Sequence, residues 1–231
     1  MDPLPEVIYL HGLGSSPESD KARLITNYLQ SLGYVTHTPN LSVPSLAKLS
    51  VNAAVLEVLR CVEAVTSPCG YLMIGSSFGG FLALQVLERC QKVGTRQAKG
   101  IVLLAPALYP WHPVHGMVTA SMEEAWNREG VFPVQESASG RTVGVHVDFI
   151  RQIKLCSVDK VELECATLLI HGQYDEVVPI EQSFQFCASR PSVTMVTLPD
   201  THRMLADPKR LLKIIEDFVV VCGKKGSTPF V

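Results

Sequence analysis

A serine, an aspartate and a histidine that meet in space can turn a weak hydroxyl into a nucleophile for acyl transfer. Ser77 is the candidate hydroxyl. It sits in Gly75-Ser76-Ser77-Phe78-Gly79, a Gly-x-Ser-x-Gly pattern between the apolar run Tyr71-Leu72-Met73-Ile74 and an apolar helical pattern. A strand that turns sharply into a helix leaves the central serine strained, with its Oγ exposed. A Cβ at Gly75 or Gly79 would collide with the neighbouring strand or helix. The helix beginning near Phe78 points its first N–H groups and its dipole at whatever reacts with Ser77. The pattern alone also fits an ordinary Gly-rich strand-to-helix turn, so its weight comes from its partners.

The base must be a histidine, and a carboxylate must hold that histidine in the right tautomer. For a strand–turn–helix serine the chain order is serine, acid, histidine. Asp175, in His171-Gly172-Gln173-Tyr174-Asp175-Glu176-Val177-Val178-Pro179, follows an apolar strand. It also reads as a turn-forming Asp, and Glu176, Asp159 and Asp148 are the other acids in play. His202, in Asp200-Thr201-His202-Arg203-Met204, is the one histidine of seven that follows Asp175. His11 and His171, each before a glycine at a strand end, read as structural residues of those turns. Two backbone donors must receive the developing oxyanion. Phe78 N–H and Leu13 N–H, the latter in His11-Gly12-Leu13-Gly14, are the candidates.

Elements that would position these groups can be read in order. Val7–Leu10 is a buried strand. Ser16 reads as an N-cap with Pro17 at the first helical position, and the helix runs to about Leu32. Tyr34–Pro39 alternates like a strand. An amphipathic stretch from Pro44 carries Leu46, Leu49, Ala53, Leu56 and Leu59 on one face. The Ser77 strand and a helix to about Val93 follow. Strands are expected at Gly100–Pro106, Thr167–Gly172 and Val193–Leu198, a closing helix at Pro208–Cys222, and a loose tail from Gly223. This alternation predicts an α/β fold, with a mostly parallel, doubly wound sheet of about six strands. Right-handed crossovers bring the strand ends, and with them His11-Gly12, Ser77, Asp175 and His202, to one edge.

One domain spans residues 1–231, with residues of about 107–165 inserted between two strands. That stretch holds two helical patterns, about Val118–Arg128 and Val147–Cys156, and no core of its own. It is expected to cap the active edge. Its alternative is a long connection packed on the sheet.

Composition excludes several classes. The apolar fraction is 47%, and the charged fraction is 18% against a typical value of about 25%. Net charge is −2, so a nucleic acid partner is not expected. No apolar run reaches the roughly 18 residues of a membrane span, and the first residues lack the basic region of a signal peptide. The seven cysteines are scattered without a Cys-x-x-Cys pair. They point to a reducing compartment, the cytoplasm or an organelle, without disulfides or a zinc cluster. Nothing here sets an oligomeric state.

Taken together, Tyr9–Pro17, Gly75–Gly80, His171–Pro179 and Asp200–Met204 resemble the α/β-hydrolase superfamily. The similarity is strongest to its small serine esterases and to the mitochondrial acyl-protein thioesterase group, and it covers the chain except the insertion. The resemblance implies Ser77 as nucleophile, Asp175 and His202 as its partners, no cofactor and no metal. The expected reaction is hydrolysis of a small-molecule carboxylic ester or acyl thioester through an acyl-serine. Aromatic residues of the insertion, Trp111, Trp126 and Phe149 among them, are expected to line an apolar acyl pocket. The rival reading is a catalytically silent scaffold of the same fold that binds a ligand or partner.

Overall fold

The structure, a computed structural model, describes residues 3–223. Along them the elements are β1 (Glu6–Leu10), α1 (Asp20–Ser31), β2 (Thr36–His37), α2 (Val51–Ala64), β3 (Tyr71–Ser76), α3 (Phe78–Val93), β4 (Gly100–Leu104), α4 (Ala120–Glu129), β5 (Val131–Gln135), β6 (Thr142–His146), α5 (Asp148–Leu155), β7 (Ala166–Gly172), α6 (Glu181–Ala188), β8 (Val193–Leu198) and α7 (Pro208–Gly223). Six strands form one parallel sheet in the order β2-β1-β3-β4-β7-β8, and β5 and β6 pair as an antiparallel hairpin.

The inner strands β1, β3 and β4 are buried along their whole length. Continuous apolar runs need this, because both faces of a parallel sheet are covered. Successive side chains go to opposite faces. Ile8, Leu10, Met73, Ile101 and Leu103 pack with α2 and α3. Val7, Tyr9, Leu72, Ile74, Val102 and Leu104 pack with Ala22, Ile25 and Leu29 of α1 and Leu211, Ile215 and Phe218 of α7. Each such Leu or Ile contributes about 1.5–3 kcal/mol by leaving water. The order of strands reverses between β1 and β3, which opens a crevice beyond their carboxyl ends. The loops after β1, β3, β7 and β8 all emerge on that edge.

Several local expectations need correction. Ser16 does not cap α1. Its Oγ and carbonyl oxygen accept from Glu18 N–H at 3.2 Å and Ser19 N–H at 3.2 Å, making a turn, and the helix starts at Asp20. The second helix starts at Val51, behind an N-cap Ser50 whose side chain accepts from Ala53 N–H. Its inner face is Val51, Ala54, Val58 and Val62, and Leu56 is 53% exposed. Leu46 and Leu49 are buried, but from the loop before the helix, so their apolar spacing gave the wrong phase. The alternation at Tyr34–Pro39 becomes a strand only at Thr36–His37.

Two elements, α6 and the β5–β6 hairpin, were missed. In β5 the pattern is real, with Phe132 and Val134 turned inward, but Pro133 hides it. Pro133 is tolerated because a two-stranded hairpin is all edge. Within the insertion, Phe132, Val145, Phe149, Ile150 and Val158 join the cluster formed by α2 and α3. The tail expected after Gly223 lies outside the described residues.

Glu6 ties the start of β1 to its surroundings. Its Oε1 accepts from Thr66 N–H (2.8 Å), Ser67 N–H (2.8 Å) and the Thr66 hydroxyl (3.0 Å), and its Oε2 lies 2.6 Å from His37 Nε2. Burial alone pushes the carboxyl up, but these bonds outweigh it and hold the group at about 2, below the ordinary 4.5. A depressed carboxylate stabilises the fold above its unfolded value and loses that contribution as pH falls towards the folded one. Urea unfolding midpoints should therefore drop between pH 4.5 and about 2, and the drop should shrink in Glu6→Gln; equal slopes for both proteins would refute the assignment. A second expectation concerns α3. A Cβ on Gly79 would lie 2.1 Å from Leu10 O, whereas one on Gly12 meets nothing nearer than Ser77 Cβ at 3.4 Å. Gly79→Ala should cost about 2–4 kcal/mol by urea unfolding and Gly12→Ala less than about 1. Similar losses in both would show that α3 does not need this approach.

Candidate active site

Between β3 and α3 the chain makes its sharpest local turn. Ser77 has φ 55° and ψ −116°, a conformation that a residue with a Cβ adopts only when its surroundings enforce it. Here they do. Its N–H donates to Leu104 O at 2.9 Å, and its carbonyl oxygen accepts from Gly80 (2.9 Å), Phe81 (3.2 Å) and Ala107 (3.2 Å). A Cβ on Gly75 would lie 2.4 Å from Gly79 O, and Gly79 itself packs on the backbone at the end of β1. Both glycines are where the helix meets the sheet.

The loop after β1 runs beside this turn. His11 is buried; its Nε2 accepts from Leu41 N–H at 3.0 Å and its Nδ1 lies 2.9 Å from Gly12 O. Nδ1–H therefore donates to Gly12 O. Burial pushes this imidazole's pKa down, which suits a neutral ring that braces the loop. Leu13 N–H and Phe78 N–H make no hydrogen bond among the described residues. The tip of the β5–β6 hairpin lies against the far side of the same loop. Ser137 N–H donates to Gly14 O at 2.7 Å, and Gly14, at φ +68°, leaves no room for a Cβ because Gln135 O would be 2.2 Å away.

Asp175 follows β7 with its side chain fully buried, and Oδ2 is 2.8 Å from His202 Nδ1. Oδ1 accepts from Val177 N–H at 2.9 Å and Val178 N–H at 2.8 Å. Of the other acids, Glu176 accepts from the backbone N–H of His202 at 3.3 Å, while Asp148 pairs with Arg151 and Asp159 accepts from Tyr109, both at the surface. Next to the carboxylate, Nδ1 of His202 carries the proton, and Nε2 keeps a lone pair. Burial pushes the Asp175 carboxyl up, yet the hydrogen bonds from His171, His202 and Val178 N–H prevail, so it stays ionised well below the ordinary range.

His171 adds a contact that its sequence position did not reveal. Its Nε2 lies 3.1 Å from Asp175 Oδ2 and 3.0 Å from Val178 O, both acceptors. That nitrogen therefore holds the proton, and Nδ1 accepts from the Ser183 hydroxyl at 2.7 Å. The turn-closing histidine is thus also a second donor to the acid. Its spacing of four residues from Asp175 was the only available signal.

The loop after β8 carries His202. The buried Asp200 accepts from Thr201 N–H at 2.8 Å and Ala206 N–H at 2.9 Å, and its own carbonyl accepts from Tyr174 N–H at 2.9 Å. Met204 turns inward at φ 53°. From the opposite side Lys21 Nζ donates to His202 O at 3.0 Å and to Ser76 Oγ at 3.1 Å. A lone Lys at a helix start gave no hint of this.

A cavity of about 680 Å³ is lined by Gly12, Leu13, Ser77 and His202 together with Lys21, Arg23, Ser16, Ser137 and Arg203. The expected aromatic wall is elsewhere. Phe149 is 1% exposed and packs edge-to-face on Phe78, with centroids 5.2 Å apart. Trp126 leans on Phe132 at 5.2 Å. Trp111 lines a separate groove of about 320 Å³, under Lys154 and with Nε1–H donating to Glu123. Burial of the insertion's apolar face against α2 and α3 uses up these rings. Among the described residues no cluster of three or more His, Cys, Asp or Glu is placed to hold a metal ion.

Comparison with known proteins agrees with this architecture. A model for a family described as uncharacterised, UPF0227, matches residues 6–219. The mitochondrial palmitoyl-protein thioesterase ABHD10 of Mus musculus is 27% identical over 240 residues, which cover 93% of this chain and 75% of that relative. Alpha/beta hydrolase domain-containing protein 10 from mouse is similar in structure, with a TM-score of 0.76 at 22% identity, covering 95% of this chain and 91% of that one. A putative hydrolase from Agrobacterium vitis S4 gives a TM-score of 0.78 at 19% identity over 95% and 91% of the two chains. The six-stranded parallel sheet with its flanking helices is the fold these structures share. The chain belongs to the uncharacterised protein family UPF0227 and has the α/β-hydrolase fold.

Proposed function

We propose that the chain is a serine hydrolase, cleaving a carboxylic ester or acyl thioester through an acyl-Ser77 intermediate. The observation that carries this is the 2.8 Å contact of His202 Nδ1 with a buried, ionised Asp175, in a cavity that the positive-φ Ser77 also lines. In this reading His202 Nε2 takes the Ser77 hydroxyl proton as Oγ attacks the acyl carbon. Phe78 N–H and Leu13 N–H receive the oxyanion. The imidazolium then gives its proton to the leaving alcohol or thiol. Water, deprotonated by the same nitrogen, releases the acid and restores Ser77. Asp175 stays ionised throughout, and His171 and the two valine N–H groups keep it aimed.

Two substrate types compete within this class. The polar wall beside Ser77 favours an ester with a short or polar acyl group. The name of the mouse relative, a palmitoyl-protein thioesterase, favours a long acyl thioester. A panel of p-nitrophenyl esters and acyl-CoA thioesters of graded length separates them. We expect the highest kcat/KM at short chains, and a rise with length to sixteen carbons would reverse the choice. The seven free thiols suit a reducing compartment, either the cytoplasm or an organelle such as the one named for the relative. Recovery of a tagged chain from the secretory lumen would rule both out.

A fluorophosphonate probe should label the protein once, at Ser77, and Ser77→Ala should not be labelled. A folded protein that takes no label would support the silent-scaffold reading instead. His202→Ala should lower kcat by about 10⁴-fold or more, and Asp175→Asn by about 10⁴-fold with KM little changed. Near-normal turnover in His202→Ala would mean that the base is misassigned.

A further inference from the structure

We propose that Lys21 is a positioning residue for this hydrolysis: its ammonium clamps the strand of the nucleophile to the loop of the base. The proposal rests on the serine-hydrolase reading. The problem it solves is set by the sheet order. Ser77 leaves β3, while His202 leaves β8, and β4 and β7 lie between them. Three interstrand spacings of about 4.8 Å separate the two starting points, so no ladder bond fixes one to the other. The loop after β8 must fold back across the sheet edge and stop at the right place.

Lys21 is the direct tie between them. Its Nζ donates to Ser76 Oγ, one residue before the nucleophile, and to the carbonyl oxygen of His202 itself. The helix beneath is firm, since Ala22, Ile25 and Leu29 anchor α1 on the sheet. The charges that act on the ammonium are Asp175 and Asp200 from the loops after β7 and β8 and Arg203 beside His202, and Tyr9 of β1 lines the same cavity. Burial pulls Lys21 down to about 8, and the two aspartates oppose the shift.

The test uses Lys21→Met, which keeps the length of the side chain and removes donors and charge. On the best ester of the panel, kcat should fall by about 10- to 100-fold, since a misplacement of about 1 Å has that effect, and KM should change by less than about threefold. Ser76→Ala removes one end of the clamp and should lower kcat less; the double variant should lose no more than Lys21→Met alone. If Lys21→Met does not fold, Ser76→Ala decides, and an unchanged kcat in it overturns the clamp. A raised KM with kcat intact in Lys21→Met also overturns it, since Lys21 would then hold substrate. Failure of the wild type to take the fluorophosphonate at Ser77 would instead remove the underlying hydrolase reading.

Discussion

Close contact between the first turn of α3 and the end of β1 governs the geometry of the whole edge. At Gly79 the helix comes so near Leu10 that a single methyl group would overlap its carbonyl oxygen. That approach forces the chain between β3 and α3 to reverse within one residue, and Ser77 takes the positive φ. The strain stays because four backbone hydrogen bonds hold Ser77 from β4, α3 and Ala107. The reward is an unhindered Oγ beside the N-terminal end of a helix, next to the loop of Gly12 and Leu13. Elements farther away serve this arrangement. The sheet order places Asp175 and His202 on the same side of it, and the inner strands are buried along their whole length.

How far the sequence disclosed this depends on how local each signal was. The inner strands were plain, because a strand covered on both faces must be apolar throughout, and no competing pattern fits Val7–Leu10 or Gly100–Leu104. The positive-φ turn at Ser77 and the contact of Asp175 with His202 were legible for a different reason: each residue ends a strand or follows one closely, and the chain order is restrictive. Phase errors arose where loop residues were apolar. Leu46 and Leu49 extended the α2 pattern backwards although they belong to a loop that packs on the same core. Pro133 concealed a hairpin that its paired, edge-only setting permits. His171 and Lys21 were invisible as functional neighbours, since their roles come from contacts made across the fold, and nothing in a linear string ranks one buried histidine or one lysine above another.

The fate of the aromatic side chains follows from area. Phe132 and Phe149 have a helical surface to cover on α3, and they cover it, stacking near Phe78 and Phe81. Rings engaged this way are no longer on offer to a ligand. What remains around Ser77 is the start of α1 and the two flanking loops, which are rich in serine and charge. The same feature that gives the insertion its stability thus leaves the cavity lined mainly by serine and charged residues. The aromatic residues of the insertion argued the other way, because a linear sequence cannot say which rings have already found partners.

The tip of the β5–β6 hairpin rests on Gly14, two residues from the loop glycine that adjoins Ser77. Hairpin and loop are therefore one mechanical piece, and any displacement of the hairpin would be felt, through the Ser137 N–H bond to Gly14 O, in the backbone beside Ser77.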